Sequence, residues 1–84
     1  IVSKKPKVRI LRLRHVPMID ATALHSLEQF HQTCQKSHVK LLIAGVHSQP
    51  LAVIKRSGLY EAIGPDNFVS GNLEQAMARA RLLL

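Results

Sequence analysis

The chain has 84 residues and is strongly basic, with twelve lysines and arginines, five acidic residues and a formal charge of +7. This length supports one small domain with a modest core, and no apolar run approaches the roughly 20 residues that a membrane-spanning helix needs. The single cysteine, Cys34, excludes a disulfide within the chain and is typical of a reducing compartment. Because the first residue is isoleucine, we interpret the chain as part of a longer polypeptide.

Half of the basic side chains lie near the N-terminus, between Lys4 and Arg14. We interpret residues 1–7 as a basic lead-in to the folded domain. A cluster of this kind is compatible with contact to anionic lipid or nucleic acid. It contains no aromatic residue on which bases can stack, and the chain has no common nucleic-acid-binding signature. We therefore favour a solvated lead-in over a nucleic-acid site and keep anionic lipid as a candidate contact.

The first predicted unit is a strand followed by a helix. Residues 8–13, V-R-I-L-R-L, are largely aliphatic without strict alternation, which is typical of a strand covered on both faces. Apolar residues then recur at helical spacing over residues 21–36 and predict an amphipathic helix. Its expected apolar face consists of Ala23, Leu24, Leu27, Phe30 and Cys34. Asp20 precedes this helix and is expected to cap it by accepting from the amide of Thr22 or Ala23.

The second predicted unit repeats this order. A short apolar strand spans residues 39–44, and Pro50 suits the first turn of the helix that follows. That helix is expected to end at Gly58 in a Schellman motif, because glycine favours the left-handed position and the apolar Leu59 comes next.

The third predicted unit is a brief strand at residues 67–69 and a last helix. Asn72 and Gln75 have the spacing of a capping box. The apolar face of the last helix is expected to comprise Leu73, Ala76, Met77, Ala80 and Leu84. Strands that alternate with helices through short connections predict a parallel or mixed α/β fold. Right-handed crossovers then place residues 20–22, 47–49 and 70–72 along one edge of the sheet.

The residues that usually carry catalysis or metal binding form no recognisable site. The five histidines, which lack helical i,i+3 or i,i+4 pairing, are His15, His25, His31, His38 and His47. We predict that they are scattered surface side chains and that the chain holds no metal or other cofactor. Cys34 falls on an apolar helix face, where a cysteine is usually an inert hydrophobe. With no phosphate-binding glycine loop and no paired carboxylates, the chain is predicted not to be an enzyme.

The tripeptide of Asp20, Ala21 and Thr22 admits two interpretations. Asp20 is explained fully as a helix cap, and residue types alone favour that reading. Alternatively, the Thr22 hydroxyl stands on a first helical turn beside free amides, where it is able to carry or bind a phosphate.

The segment V-R-I-L-R-L-R-H-V-P-M-I-D-A-T-A-L resembles the STAS domain, a family named after sulfate transporters and anti-sigma factor antagonists. The family signature has an apolar residue and Asp at the end of a strand, then a small residue, Ser or Thr, and Gly-Leu. Here it reads I-D-A-T-A-L, with Ala23 in place of glycine. The stretches S-Q-P-L-A-V-I-K-R-S-G-L and I-G-P-D-N-F-V-S-G-N-L-E-Q-A-M are similar to the sulfate permease-type transporter branch. The resemblance extends from about Lys7 to Arg81.

This resemblance implies a mixed or parallel sheet with helices packed on it, here without the usual N-terminal strands and first helix. It implies a non-catalytic domain on the cytoplasmic face of a membrane anion transporter, with a role in regulation, folding, trafficking or protein interaction. The implied partners are the transmembrane domain of the same transporter, another STAS domain or a cytosolic regulatory protein. The alternative is a free-standing anti-sigma factor antagonist phosphorylated on Thr22.

The resemblance also assigns candidate site residues. Thr22 corresponds to the phosphorylated position of the antagonist branch, although the Ala23 methyl group crowds the approach to its hydroxyl. A partner-docking surface is expected from two loops that meet at one sheet edge. Its predicted residues are Asp20, Ala21, Thr22, His47 and Ser48.

Overall fold

Strands and helices alternate along the chain, as the sequence predicts. The computed structural model describes residues 7–70 and 73–83, except for the side chain of Leu73. The predictions made for residues 1–6, Asn72 and Leu84 therefore lie outside the described residues. The described elements are β1 (Val8–Arg12), α1 (Ala21–Lys36), β2 (Lys40–Ala44), α2 (Ser48–Arg56), α3 (Leu59–Ile63), a 3₁₀ turn (Pro65–Asn67), β3 (Phe68–Val69) and α4 (Leu73–Leu83).

β2 is the central strand of a three-stranded parallel sheet with the order β1-β2-β3. Its register with β1 runs from Val8 opposite Lys40 to Arg12 opposite Ala44, whereas β3 pairs only with Ile43 and Ala44. The parallel α/β fold expected from the order of the elements is thus confirmed. Within the described residues β1 has one strand neighbour, so it forms an edge of the sheet.

Both faces of the sheet are covered, which explains why β2 is apolar over four consecutive residues. Alternate residues of a strand point to opposite faces. One face packs against α1, α2 and α3 in the main core, whose buried members are Cys34, Val39, Leu41, Ile43, Ile54, Leu59 and Ile63. On the other face α4 contacts all three strands. Among the described side chains of α4, Ala76 and Ala80 are buried, and their small size lets the helix approach the sheet closely.

The buried faces of two helices differ from the predicted ones. The apolar residues of α1 that contribute as expected are Leu24, Leu27, Phe30 and Cys34. Ala23 is exposed, however, and His31 is only 7% exposed, so the prediction that every histidine lies at the surface is wrong for His31. In α4, Met77 is 42% exposed instead of buried, whereas Ala76 and Ala80 are buried as expected.

α1 ends in a Schellman motif, a motif that the sequence predicts for the end of α2. The Val39 amide donates to the Cys34 carbonyl at 2.8 Å, and the His38 amide donates to the Gln35 carbonyl at 3.1 Å. His38 occupies the left-handed position with φ 57°. A side chain with a Cβ atom is disfavoured there by about 1 kcal/mol relative to glycine. The position of His38 therefore has a conformational cost that the sequence does not reveal.

α2 ends at a left-handed glycine, but without the full Schellman motif. Gly58 has φ 86°, and its amide donates to the Lys55 carbonyl at 3.2 Å. The Ser57 hydroxyl donates to the Ile54 carbonyl at 2.8 Å and accepts from the Leu59 amide at 3.2 Å. A Schellman motif would join the Leu59 amide to the Ile54 carbonyl directly. Here the Ser57 hydroxyl bridges these two groups, so the prediction of a complete Schellman motif is wrong. Leu59 also begins α3, a helix that the sequence analysis missed.

Candidate functional site

Asp20 caps α1 as predicted. Its backbone is extended, with φ −100° and ψ −179°, and its carboxylate Oδ1 accepts from the Ala23 amide at 2.8 Å. The Asp20 carbonyl accepts from the Leu24 amide at 2.9 Å, which is the first hydrogen bond of the helix. A negative charge at this position also complements the positive end of the helix dipole. The structural interpretation of the aspartate is therefore confirmed.

Thr22 lies on the first turn of α1 with its side chain exposed, and Ala21 beside it is exposed as well. The Thr22 hydroxyl forms no hydrogen bond to any group in the described part of the chain. The site is thus accessible to a partner or to a modifying enzyme. The carboxylate of Asp20 already uses the Ala23 amide, so a phosphate on Thr22 would have to share this helix end with a negative charge.

Gln49 joins the loop before α1 to the beginning of α2. Its Oε1 accepts from the Ile19 amide at 2.9 Å, and its Nε2 donates to the Ile19 carbonyl at 3.2 Å. One side-chain amide thereby satisfies both backbone groups of a residue 30 positions away. Ile19 directly precedes the cap residue, so Gln49 fixes the start of α1 relative to α2.

His47 makes the second connection between the two loops. Its Nε2 lies 2.6 Å from the Arg14 carbonyl oxygen. Because a carbonyl only accepts, Nε2 carries the proton in this bond. Gly45 lies nearby with φ 71°, and a Cβ atom there would lie 3.3 Å from Cβ of Arg14. Glycine is therefore required at this crossing by both the backbone conformation and the close approach. Ser48, the first residue of α2, is exposed.

The structure thus brings the predicted loops together, through His47 of the predicted docking surface and through Gln49, which lies outside that surface. Arg14 and Ile19 supply the backbone groups, and His47 and Gln49 supply the side chains. Gln49 was part of the predicted sheet edge but not of the predicted docking surface. A glutamine in the first turn of a helix gives no signal in the sequence for a bond to a residue 30 positions earlier.

The loop after β3 joins the same end of the sheet. The Gly45 amide donates to the Val69 carbonyl at 3.0 Å. The Ser70 hydroxyl donates to Oε1 of Gln75 at 2.9 Å, which links this loop to the first turns of α4. The structure describes residue 70 of the predicted 70–72 segment, and the other two residues lie outside the described ranges.

An apolar groove of about 340 Å³ lies beside the capped start of α1. It runs between α1 and the edge strand β1. Its main apolar lining residues are Leu11, Leu13, Val16, Ile19, Leu27 and Phe30. Ala23, whose amide receives the Asp20 cap bond, also lines this groove. Polar loops and an apolar groove therefore adjoin each other at this end of the molecule.

The structure shows no metal-binding constellation within residues 7–70 and 73–83, since no three histidine, cysteine or acidic side chains meet there. Cys34 is 3% exposed within the main core, so it is not accessible as a nucleophile. Among the histidines, His31 differs from the others by its burial, and burial lowers the pKa of its imidazole below the usual value. His31 lines a cavity at the opposite end of β2 and takes no part in the loop cluster.

Residues 1–76 match the family model of the STAS domain, so the chain belongs to the STAS domain family. It is similar to a sulfate transporter family protein from Wolinella succinogenes, at 40% identity and a TM-score of 0.86 over 99% of this chain and 67% of that one. It is also similar to the STAS domain of a SulP transporter from Vibrio cholerae, at 31% identity and a TM-score of 0.85 over 96% of this chain and 62% of that one. The resemblance inferred from the sequence motifs is confirmed.

The chain spans only a small part of a curated relative that it matches. The putative sulfate transporter YvdB of Bacillus subtilis (strain 168) is 34% identical over 67 residues. These residues are 80% of the present chain but 13% of that protein. None of the helices within the described ranges has the length and apolar character needed to span a bilayer.

The Asp20→Ala variant will lower the free energy of unfolding by about 1 kcal/mol, because the Ala23 amide loses its acceptor at the helix start. Thr22→Ala will change it by less than about 0.5 kcal/mol, since the hydroxyl is exposed. Urea denaturation followed by circular dichroism measures both values. Equal losses for the two variants would contradict the assignment of the cap to Asp20.

Proposed function

We propose that the chain is the cytoplasmic STAS domain of a sulfate permease-type membrane anion transporter. Its role is non-catalytic and lies in regulation, folding and trafficking, or protein interaction. The observation that carries the proposal is the match in both sequence and fold, over nearly the whole chain, to the STAS domain of a SulP transporter and to a sulfate transporter family protein. The relative from Bacillus subtilis is described as a putative sulfate transporter, which supports the same class of protein.

The docking surface of this domain consists of Asp20, Ala21, Thr22, His47 and Ser48. Support comes from the geometry of the two loops, which expose these side chains while Gln49 and the His47 ring fix the backbones behind them. A rigid, exposed surface loses little conformational entropy when a partner binds. Its partner is the transmembrane domain of the same transporter. A binding experiment distinguishes this partner from the two alternatives, another STAS domain and a cytosolic regulatory protein.

The basic charge supports a position next to the membrane. The chain has a formal charge of +7, and basic segments are attracted to the anionic lipids of a cytoplasmic leaflet. Three exposed arginines of the described part, Arg9, Arg12 and Arg14, lie in or just after β1. Anionic lipid is thus a further contact of the domain, in addition to its protein partner.

Cell fractionation tests this class of function. An antibody against the chain should detect a polypeptide several times longer than 84 residues in the membrane fraction, where it resists washing with alkaline carbonate. A short polypeptide in the supernatant would contradict the proposal and would support the free-standing antagonist instead. Because the antibody detects the chain itself, this result does not depend on any particular site residue.

Transport by the full-length protein tests the docking surface. At matched membrane expression, Thr22→Glu should change the uptake of radiolabelled sulfate by about twofold or more, because it adds a negative charge beside Asp20 on the partner-facing turn. Thr33→Glu is the control, since Thr33 is an exposed threonine near the other end of the same helix. Uptake equal to that of the parent for both Thr22→Glu and Thr22→Ala would remove Thr22 from the docking surface.

A further inference from the structure

A cavity of about 360 Å³ opens at the end of β2 opposite the loop cluster. The last turns of α1, the beginning of β2, the end of α3 and the 3₁₀ turn surround it. A volume of this size is within the range of binding sites for small organic molecules and exceeds what one inorganic ion fills. The STAS signature residues at positions 20–22 have no part in it.

His31 is the unusual component of this cavity. Its side chain is 7% exposed, lines the cavity, and forms no hydrogen bond to any group in the described part of the chain. No buried side-chain nitrogen or oxygen atom of the described residues lacks a hydrogen-bond partner, so the unpaired ring nitrogens of His31 belong to the part of the side chain that the cavity leaves open. Burial lowers the pKa of His31, so the ring is neutral at pH 7 and presents one donor and one acceptor nitrogen. A ligand with polar atoms is therefore able to form hydrogen bonds with these two nitrogens.

The other polar groups around the cavity all include hydrogen-bond donors, and none is anionic. Lys40 brings a positive charge from the first residue of β2, and Gln35 brings an amide from α1. His38 lines the cavity from its left-handed position, at the conformational cost noted above. The Asn67 amide is already occupied, since its Nδ2 donates to the Ile63 carbonyl and its Oδ1 accepts from Arg79. No lining residue is acidic, so the charge of the cavity is positive.

The rest of the lining is apolar and includes Val39, Leu41, Ala62 and Ile63. A charged group with a carbon body fits such a mixed surface better than a bare ion does. We propose that the cavity binds a small organic oxyanion, a carboxylate or a phosphate monoester. Its charged group contacts Lys40, its body lies against Leu41 and Ile63, and one of its polar atoms pairs with the His31 ring. This site is separate from the proposed docking surface, and its test does not depend on transport.

Titration of the isotope-labelled chain with three probes, followed by amide and histidine-ring NMR signals, tests the proposal. Benzoate and phenyl phosphate carry the two kinds of oxyanion on the same ring, whereas benzamide is a neutral molecule of almost the same shape. We expect saturable shifts at Gln35, His38 and Lys40, and at the His31 ring, with both anions. Benzamide should shift these signals weakly or not at all. The stronger of the two anions identifies the class of the natural ligand.

Two lysine variants provide the matched comparison. Lys40→Met removes the cavity charge at an exposed strand end and should weaken the binding of both anions roughly five- to tenfold. Lys36→Met removes a charge that is also exposed, from α1 outside the cavity, and should change binding by less than about twofold. Absence of saturable shifts, equal binding of benzamide, or equal losses for the two lysine variants would overturn the proposal.

Discussion

Gln49→Leu will lower the free energy of unfolding by about 2 kcal/mol and will loosen the start of α1. The substitution removes both hydrogen bonds to Ile19, and each bond in a half-buried position contributes about 1 kcal/mol. Leucine has nearly the volume of glutamine but offers neither donor nor acceptor, so the Ile19 amide and carbonyl lose their partners. Urea denaturation measures the loss of stability, and hydrogen exchange should show a faster-exchanging Ile19 amide.

Gln49→Glu separates the two halves of this contact. A carboxylate still accepts from the Ile19 amide, but it faces the Ile19 carbonyl with a second acceptor and therefore repels it. We expect a loss of stability of at least about 1 kcal/mol with partial protection of the Ile19 amide. Gln32→Glu places the same charge change at an exposed position of α1 and should be nearly neutral. Parent-like stability of both Gln49 variants would show that other contacts hold the two loops together.

The sequence predicts the strands and long helices because their signals are local. Aliphatic runs mark β1 and β2, apolar periodicity marks α1, and Asp20 has the residue type and position of a cap. α3 was missed because five residues are too few for a helical period to appear. The pairing of the loops follows from the parallel topology, but the Gln49 contact does not, because it joins residues 30 positions apart.

His31 was missed for a different reason. Residues 24, 27, 31 and 34 have the spacing of one buried helix face, so the position was readable as buried. Its polar side chain led to the prediction of a surface histidine, and the structure contradicts that prediction. A polar residue at a buried position of a helix lowers stability relative to an apolar residue, so such a position is a candidate for a function. His31 is such a residue, and it lines the cavity at the far end of β2.

The stability of the chain will fall as the pH drops below about 6.5, the usual pKa of histidine. Burial lowers the pKa of His31 in the folded state, so below pH 6.5 the unfolded chain binds a proton that the folded chain resists. Protonation therefore favours unfolding. The loss begins near the unfolded pKa and is complete below the folded one. His31 also lines a second cavity, between α1 and the turn at residues 57–59, to which Glu28 contributes. Glu28, His38 and Lys40 are the other charged or titratable groups of these two cavities, and all three are present in both variants used to test this.

His31→Leu will remove this pH dependence and raise the free energy of unfolding by about 1 kcal/mol at pH 7, because it places an apolar side chain of similar volume at a largely buried position without breaking a hydrogen bond. His25→Leu is the control, since His25 is exposed on the same helix and should leave the dependence intact. Urea denaturation of the three proteins between pH 5 and 8 measures both effects. A stabilised His31→Leu variant that no longer binds benzoate or phenyl phosphate would show that the unpaired imidazole is kept for the ligand at the expense of stability. A destabilised variant, or a parent without pH dependence, would contradict this account of His31.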